Sequence, residues 1–275
     1  MKVLIIGASG MLAKPVVREL DKRGFELRLF SRNVNADMFF KDFEICNGDV
    51  YDSADLEKAV HGCDAIHISL SNLDEALATE KIVQIALKEN IKLISMISGC
   101  TVAEENRWFP MMDNKYRAEQ SLIKSGIPFM IFRATWFFES LELMIQKGKA
   151  SVIGKQNNPW HWIAAQDYAH MVGEAYQKPE ARNKIFYVLG NKPYLMKDLL
   201  KLYCEAVHPE IKKVSEVPPG VLKFIGVISR NNMLKQVADM FRYFEKTKEM
   251  GDPEETYSLL GKPGISFEKW LEIRD

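Results

Sequence analysis

The chain has 275 residues, enough for one large domain or a domain with a smaller lobe, and enough to bury a core without disulfides or a structural metal. Its 37 basic and 37 acidic residues cancel, which argues against a dedicated nucleic-acid binder, since such proteins need surplus Lys and Arg to displace phosphate counterions. With 47% hydrophobic and 27% charged residues, long disorder, collagen-like repeats and coiled coils are excluded.

Lys2 to Ile6 is a short apolar run, rich in β-branched residues, that stops at Gly7 and reads as a buried strand. Leu12, Val16, Val17 and Leu20 then recur at helical spacing, and Gly24 closes the segment. Pro15 fits this helix only if it starts near Gly10 or Met11, so that the missing N–H falls among the first-turn donors. Glu26 to Phe30 and a weaker Asp42 to Cys46 read as the second and third strands, and Ser53 as the N-cap of a helix through Val60. Ala65 to Leu70 is a fourth strand, followed by a helix from about Asp74 to Asn90. Leu93 to Ile97 is a fifth strand, Asp113 to Ser125 a helix, and Phe129 to Phe132 a sixth strand.

Strands that alternate with helices, and that are apolar throughout, indicate a parallel sheet covered on both faces. Beyond residue 134 the rhythm loosens. A strand-like Ile185 to Leu189 precedes a helix over Met196 to Val207, a mostly helical stretch from Val221 to Met250, and a short helix from Phe267 to Ile273. We therefore expect an α/β fold in two parts. Residues 1–150 form a nucleotide-binding domain, and residues 151–275 a smaller, mostly helical substrate lobe partly interleaved with it.

Cys46, Cys63, Cys100 and Cys204 show no Cys-x-x-Cys spacing, so neither a zinc site nor a redox dithiol is expected, and the compartment reads as reducing and cytoplasmic. No apolar run reaches ~18 residues, and the N-terminal one is too short for a signal peptide. No membrane contact is expected on that basis.

Gly7, Gly10 and Ala13 stand at Gly-x-x-Gly-x-x-Ala spacing between the first strand and the first helix. Gly7 permits the tight turn, Gly10 the approach of a pyrophosphate, and Ala13 close packing of helix on sheet. With the helix N-terminus donating N–H groups, Gly7, Ser9, Gly10, Met11 and Leu12 form the expected phosphate cradle. An NAD site normally ends the second strand in a carboxylate that accepts from the ribose hydroxyls. Here the strand runs Leu29-Phe30-Ser31-Arg32-Asn33. Arg32 can pair with a 2′-phosphate, and Ser31 and Asn33 can donate to it, so NADP is expected over NAD.

These residues resemble the atypical short-chain dehydrogenase/reductase superfamily, in particular its NmrA-like group of NAD(P)-binding proteins. Gly48-Asp49-Val50 is similar to that group's loop beside the adenine, and Ser69-Leu70-Ser71 to the segment beside the riboses. Lys115-x-x-x-Glu119, Ser125-Gly126-Ile127 and Ile131-Phe132-Arg133 resemble its lysine helix, Ser-Gly turn and Arg-ended strand. Trp162-Ile163 with Asp167-Tyr168-Ala169, and the tail from Leu259 to Pro263, extend the likeness. The resemblance implies a Rossmann-type doubly wound parallel sheet with a smaller C-terminal lobe. It adds Asp49, Val50, Ser69, Leu70 and Lys115 to the cofactor site. One departure matters: the superfamily's Tyr-x-x-x-Lys pair has Met111 where the tyrosine would stand, and a thioether does no acid–base chemistry. Tyr116 is rotated about 100° from Lys115 on a helix and faces elsewhere.

Lys115 and Ser98 remain as catalytic candidates, with Thr101 nearly as well placed as Ser98. His67 reads as a core histidine, and His161, between two tryptophans, as a pocket or packing residue. Asp167 reads as the cap of a helix beginning near Tyr168. Metal-ligand spacing and a Gly-x-Ser-x-Gly elbow are both missing from the sequence, so a metal site and a hydrolase are not expected. The leading expectation is an NADPH-dependent reductase of a small carbonyl, enone or quinone-like substrate. The alternative, which Met111 favours, is a non-catalytic NADP-sensing regulatory protein that binds a partner protein.

Overall fold

The computed structural model describes residues 1–70 and 74–274. In chain order the first half runs β1 (Lys2–Ile6), α1 (Ala13–Lys22), β2 (Glu26–Ser31), β3 (Glu44–Asn47) and α2 (Ser53–Val60). It continues with β4 (Ala65–Ile68), α3 (Glu75–Lys88), β5 (Leu93–Gly99), α4 (Pro110–Lys124) and β6 (Phe129–Ala134). The second half holds β7 (Ile145–Gln146), β8 (Lys149–Ile153), α5 (Ala165–Gln177), β9 (Lys184–Val188), α6 (Met196–Val207) and β10 (Val214–Val217). It ends with α7 (Pro219–Ile228), α8 (Asn232–Lys246), α9 (Glu254–Leu260) and α10 (Phe267–Ile273).

Contacts divide the chain into two compact units. One comprises Met1–Ala134, Ala165–Val188 and Asp252–Lys262; the other comprises Thr135–Ala164, Leu189–Gly251 and Pro263–Asp275. The two units interleave along the chain, and residue 150 falls within β8 of the second.

The first unit is a seven-stranded sheet of order β3-β2-β1-β4-β5-β6-β9, with every pairing parallel. Its order reverses at β1 and β4, which makes it the expected doubly wound, Rossmann-type α/β sheet. Leu4 and Ile6 of β1 share one core with residues of α2, α3 and α4, while Val3 and Ile5 are equally buried and α1 packs on α5. In α1 the recurring Val16, Val17 and Leu20 are fully buried, each worth about 1.5–3 kcal/mol of transfer free energy.

Several boundaries differ from expectation for local reasons. Helix α1 begins at Ala13, because residues 7–12 are spent on the preceding turn, yet Pro15 still falls in the first helical turn. Asp52, not Ser53, caps α2: its Oδ1 accepts from the Ala54 and Asp55 N–H groups at 2.8 and 3.1 Å. Helix α4 opens at Pro110, where a proline's missing N–H removes no helical bond. Helix α5 starts at Ala165, three residues before the expected Tyr168, so Asp167 lies buried within its first turn.

The second unit holds α6, the α7–α8 pair, α10 and a three-stranded sheet of order β10-β8-β7. Aromatic packing dominates its interior. Trp136 stacks on Trp162 and Phe241, with Phe244 edge-on to Trp136 and Trp160. Among the described residues no helix is long and apolar enough to cross a membrane, and all four cysteines are buried and unbridged.

Candidate functional site

A cleft of about 470 Å³ opens at the carboxyl ends of β1, β2 and β4. Its floor is the turn after β1. Gly7 has φ +80°, and a Cβ there would lie 2.2 Å from the Ser69 carbonyl oxygen, so both the backbone conformation and the approach of β4 demand glycine. The Gly7 N–H donates to the Phe30 carbonyl and the Gly10 N–H to the Gly7 carbonyl, both at 2.9 Å. Ala13 is fully buried, as a helix pressed against a sheet requires. Among the described residues no side chain caps α1, and its Ala13 and Lys14 N–H groups donate to the Gly10 carbonyl at 3.2 and 3.4 Å.

One wall comes from the tip of β2 and the other from the segment after β3. The Ser31 hydroxyl donates to the Ser9 hydroxyl at 3.0 Å, and Arg32 and Asn33 are exposed at the cleft margin. Among the described residues no carboxylate is paired with the Arg32 guanidinium. The Asn47 amide donates to the carbonyls of Val34 and Arg32 at 2.8 and 3.4 Å and so fixes the loop that carries Arg32. Gly48 admits no side chain, since a Cβ would lie 2.7 Å from the Asp55 Cβ and 2.8 Å from the Phe30 ring. One carboxylate oxygen of Asp49 accepts from the Tyr51 N–H at 3.0 Å, and Val50 is buried beside it.

Of the residues expected at a cofactor, the cleft gathers Gly7, Ser9, Gly10, Arg32, Asp49, Val50, Ser69 and Leu70. Met11 is exposed and Leu12 half-buried, and neither lines it. Ser71 lies outside the described residues. Tyr51 and Asp74, which sequence reasoning did not single out, complete the lining.

The two catalytic candidates are not in that lining. Lys115 donates to Glu75 Oε2 at 2.8 Å, and Glu75 is 1% exposed, with its buried Oε1 unpartnered among the described residues. Burial holds the Glu75 carboxyl above its ordinary pKa, against the opposing pull of Lys115. The Ser98 hydroxyl donates to Glu119 Oε1 at 2.6 Å. Glu119 is fully buried and also takes two hydrogen bonds from Arg133, whose remaining nitrogen donates to the Tyr187 hydroxyl at 2.9 Å. Thr101 is buried against the Met112 sulfur, and Tyr116 stacks under Arg107. Glu75 and Tyr187, and the bonds that Glu119 makes, were not anticipated, because the partners lie 14 to 54 residues away.

The two uncertain histidines resolve differently. His67 is fully buried, with Nδ1 2.8 Å from the Ser95 hydroxyl, and burial drives its pKa down to about 3. It is the core histidine expected from its strand. In the second unit, His161 Nδ1 contacts Glu249, which also accepts from the Thr135 hydroxyl and the His161 N–H. Among the described residues no group of three His, Cys, Asp or Glu is arranged to hold a metal ion.

A glycine turn under an open cleft, at the reversal point of a seven-stranded parallel sheet, defines a protein of the Rossmann-type α/β class. More narrowly, the chain belongs to the NmrA-like family, whose model matches residues 1–268. It is 25% identical over 243 residues to the photosystem II assembly factor Ycf39 of Trieres chinensis, covering 83% of this chain and 76% of that protein. Its fold is similar to a nucleoside-diphosphate-sugar epimerase from Staphylococcus aureus, with TM-score 0.80, 18% identity, and coverage of 99% of this chain and 100% of the other. It is likewise similar to an NADPH-dependent quinone oxidoreductase from Escherichia coli complexed with NADPH, with TM-score 0.75, 18% identity and 99% of each chain covered. At such identities the solved structures speak to the fold alone.

Proposed function

We propose that the cleft binds a nicotinamide dinucleotide, NADP(H) in preference to NAD(H), and that the protein is an NADPH-dependent reductase of a small carbonyl, enone or quinone-like substrate. The observation that carries this reading is Arg32, exposed and without a carboxylate partner at the margin of the cleft. The residues present fit the group. Gly7 and Gly10 keep the cradle free of side chains, α1 begins just beyond it with the positive end of its dipole, and Arg32 with Ser31 and Asn33 suits a 2′-phosphate. When bound, the dinucleotide supplies hydride chemistry. The chain's own part is to hold and orient it: Asp49 keeps one carboxylate oxygen to offer a hydroxyl, and Val50 gives an apolar wall. The E. coli relative is named as a quinone oxidoreductase, which agrees in substrate class.

A second reading has its own support. Met111 replaces the usual tyrosine, and the candidate acid–base groups Ser98 and Lys115 are committed to Glu119 and Glu75. A regulatory protein that binds NADP and then a protein partner needs none of these groups, and the Trieres relative is named as an assembly factor.

Calorimetric titration of both cofactors tests the common ground. A charge-assisted contact at Arg32 is worth on the order of 1.5–3 kcal/mol, so NADPH should bind about ten- to a hundredfold more tightly than NADH. Arg32→Ala should remove that advantage while leaving NADH nearly unchanged. Equal affinities in the parent protein would overturn the NADP assignment. Loss of absorbance at 340 nm with a panel of quinones, enones and aldehydes then separates the reductase from the sensor.

A further inference from the structure

Helix α7 turns its apolar side outward. Val221, Phe224, Ile225 and Ile228 stand at i, i+3, i+4 and i+7 and form one stripe along the helix. Val227 widens the stripe, and Met233 extends the exposed apolar set into the first turn of α8. These six side chains are between 46 and 67% exposed. The side of α7 that meets α8 is built around Gly226, which is buried. A Cβ there would lie 3.0 Å from the Lys235 Cγ and 3.1 Å from the Leu234 Cβ. At Gly226 the backbone of α7 therefore rests against α8 side chains, and the large apolar side chains of α7 are left on the outer side. Contiguous apolar patches of this kind mark interaction surfaces.

Charge chooses the occupant. From Val217 to Ala238 the chain carries Lys223, Arg230 and Lys235 and no acidic residue. Lys223 is tied to Asp239 at 2.7 Å, but Arg230, in the turn between the helices, and Lys235 have no ion pair among the described residues. We propose that α7 and Met233 dock in the plane of an anionic lipid surface, with Arg230 and Lys235 at the headgroups. A second copy of the chain would bring the same uncompensated cations together. A protein interface normally carries about one hydrogen bond per 100–200 Å², and this stripe offers no hydrogen-bonding side chain. A bilayer interface asks for none, and anionic headgroups attract Lys and Arg. Spanning length is no obstacle: at ten residues, about 15 Å, α7 lies on a bilayer and does not cross it. The expectation of no membrane contact rested on spanning length alone.

Flotation of the full chain with vesicles tests this, independently of any cofactor. The protein should float with vesicles of equal parts phosphatidylglycerol and phosphatidylcholine, and far less with phosphatidylcholine alone. Phe224→Asp with Ile228→Asp should lower the bound fraction at least about fivefold, and Arg230→Glu with Lys235→Glu should abolish the preference for the anionic lipid. Phe224, Ile228 and Arg230 are exposed and Lys235 is half-buried, so an unchanged melting temperature and far-UV circular dichroism spectrum certify the fold of both variants. Failure of the parent protein to float with anionic vesicles, or equal flotation of the Phe224/Ile228 variant, overturns the proposal. So does a dimer that Phe224→Asp converts to monomer without any flotation, which assigns the face to a second copy. Retention of an acidic protein by the parent alone, again without flotation, assigns it to a protein partner.

Discussion

Lys115 and Glu75 lie 40 residues apart in sequence and 2.8 Å apart in space, and the carboxylate is almost wholly withdrawn from water. A buried charge that loses its partner is costly, typically about 3–5 kcal/mol. Lys115→Met should therefore destabilise the protein by about 3 kcal/mol at neutral pH, read by urea unfolding. Because burial already raises the Glu75 pKa, the orphaned carboxyl takes up a proton as the pH falls, and the cost should shrink in acid. Adding Glu75→Gln should recover most of the loss. If the single variant is as stable as the parent, Lys115 is held for the cleft and not for the fold. At this scale the sequence was legible wherever backbone geometry set the residue type. Gly7, Gly10 and Ala13 announce a close turn because nothing larger fits. Glu75 and Glu119 announce nothing, since a carboxylate in a helix looks alike whether it meets water or a distant cation.

Among the elements, caps and short strands carried the errors. The choice between Asp52 and Ser53 was open locally, since both residue types cap helices well. The extended backbone at Asp52 and its two bonds to Ala54 and Asp55 decide it. Asp52→Ala should cost about 1 kcal/mol, while Ser53→Ala should be nearly neutral, both read from denaturant midpoints. The reverse order would return the cap to Ser53. Strands β7, β8 and β10 escaped the sequence reading for a different reason. They have two to five residues, and β8 pairs in parallel with β10 some 60 residues later, so no local period reveals them. Helix α6 was legible to the residue because it has an amphipathic repeat with clear ends, and α10 was placed around the span it occupies.

Across the molecule, the central sheet ties stability to pH through His67. Its pKa is about 3 in the folded protein and about 6.5 in an unfolded chain. Between those values the unfolded state binds more protons, so stability is fully present above pH 6.5 and is lost as the pH falls toward 3. The slope reaches about 1.4 kcal/mol per pH unit. Carboxylates whose pKa is lowered by partners, such as Glu44 and Glu174, add losses only nearer pH 4.5 and below. Unfolding curves at pH 5 and pH 7 should therefore differ by less in His67→Gln than in the parent. Equal differences in the two proteins would mean that His67 is protonated within the fold.

The alternation of apolar strands and amphipathic helices in residues 2 to 134, with glycine at the first turn and arginine at the second strand's end, was enough by itself to determine a parallel sheet covered on both faces and one side of its cleft. Those features are local: a buried parallel strand must be apolar along its length, and a turn with φ +80° under a carbonyl must be glycine. Only the tertiary structure decided that Ser98 and Lys115 are bound to Glu119 and Glu75, and that α7 faces outward. The chain also leaves and re-enters the sheet unit after residue 134. Each of these depends on which distant segment comes to lie beside a residue, and periodicity along a chain carries no record of that.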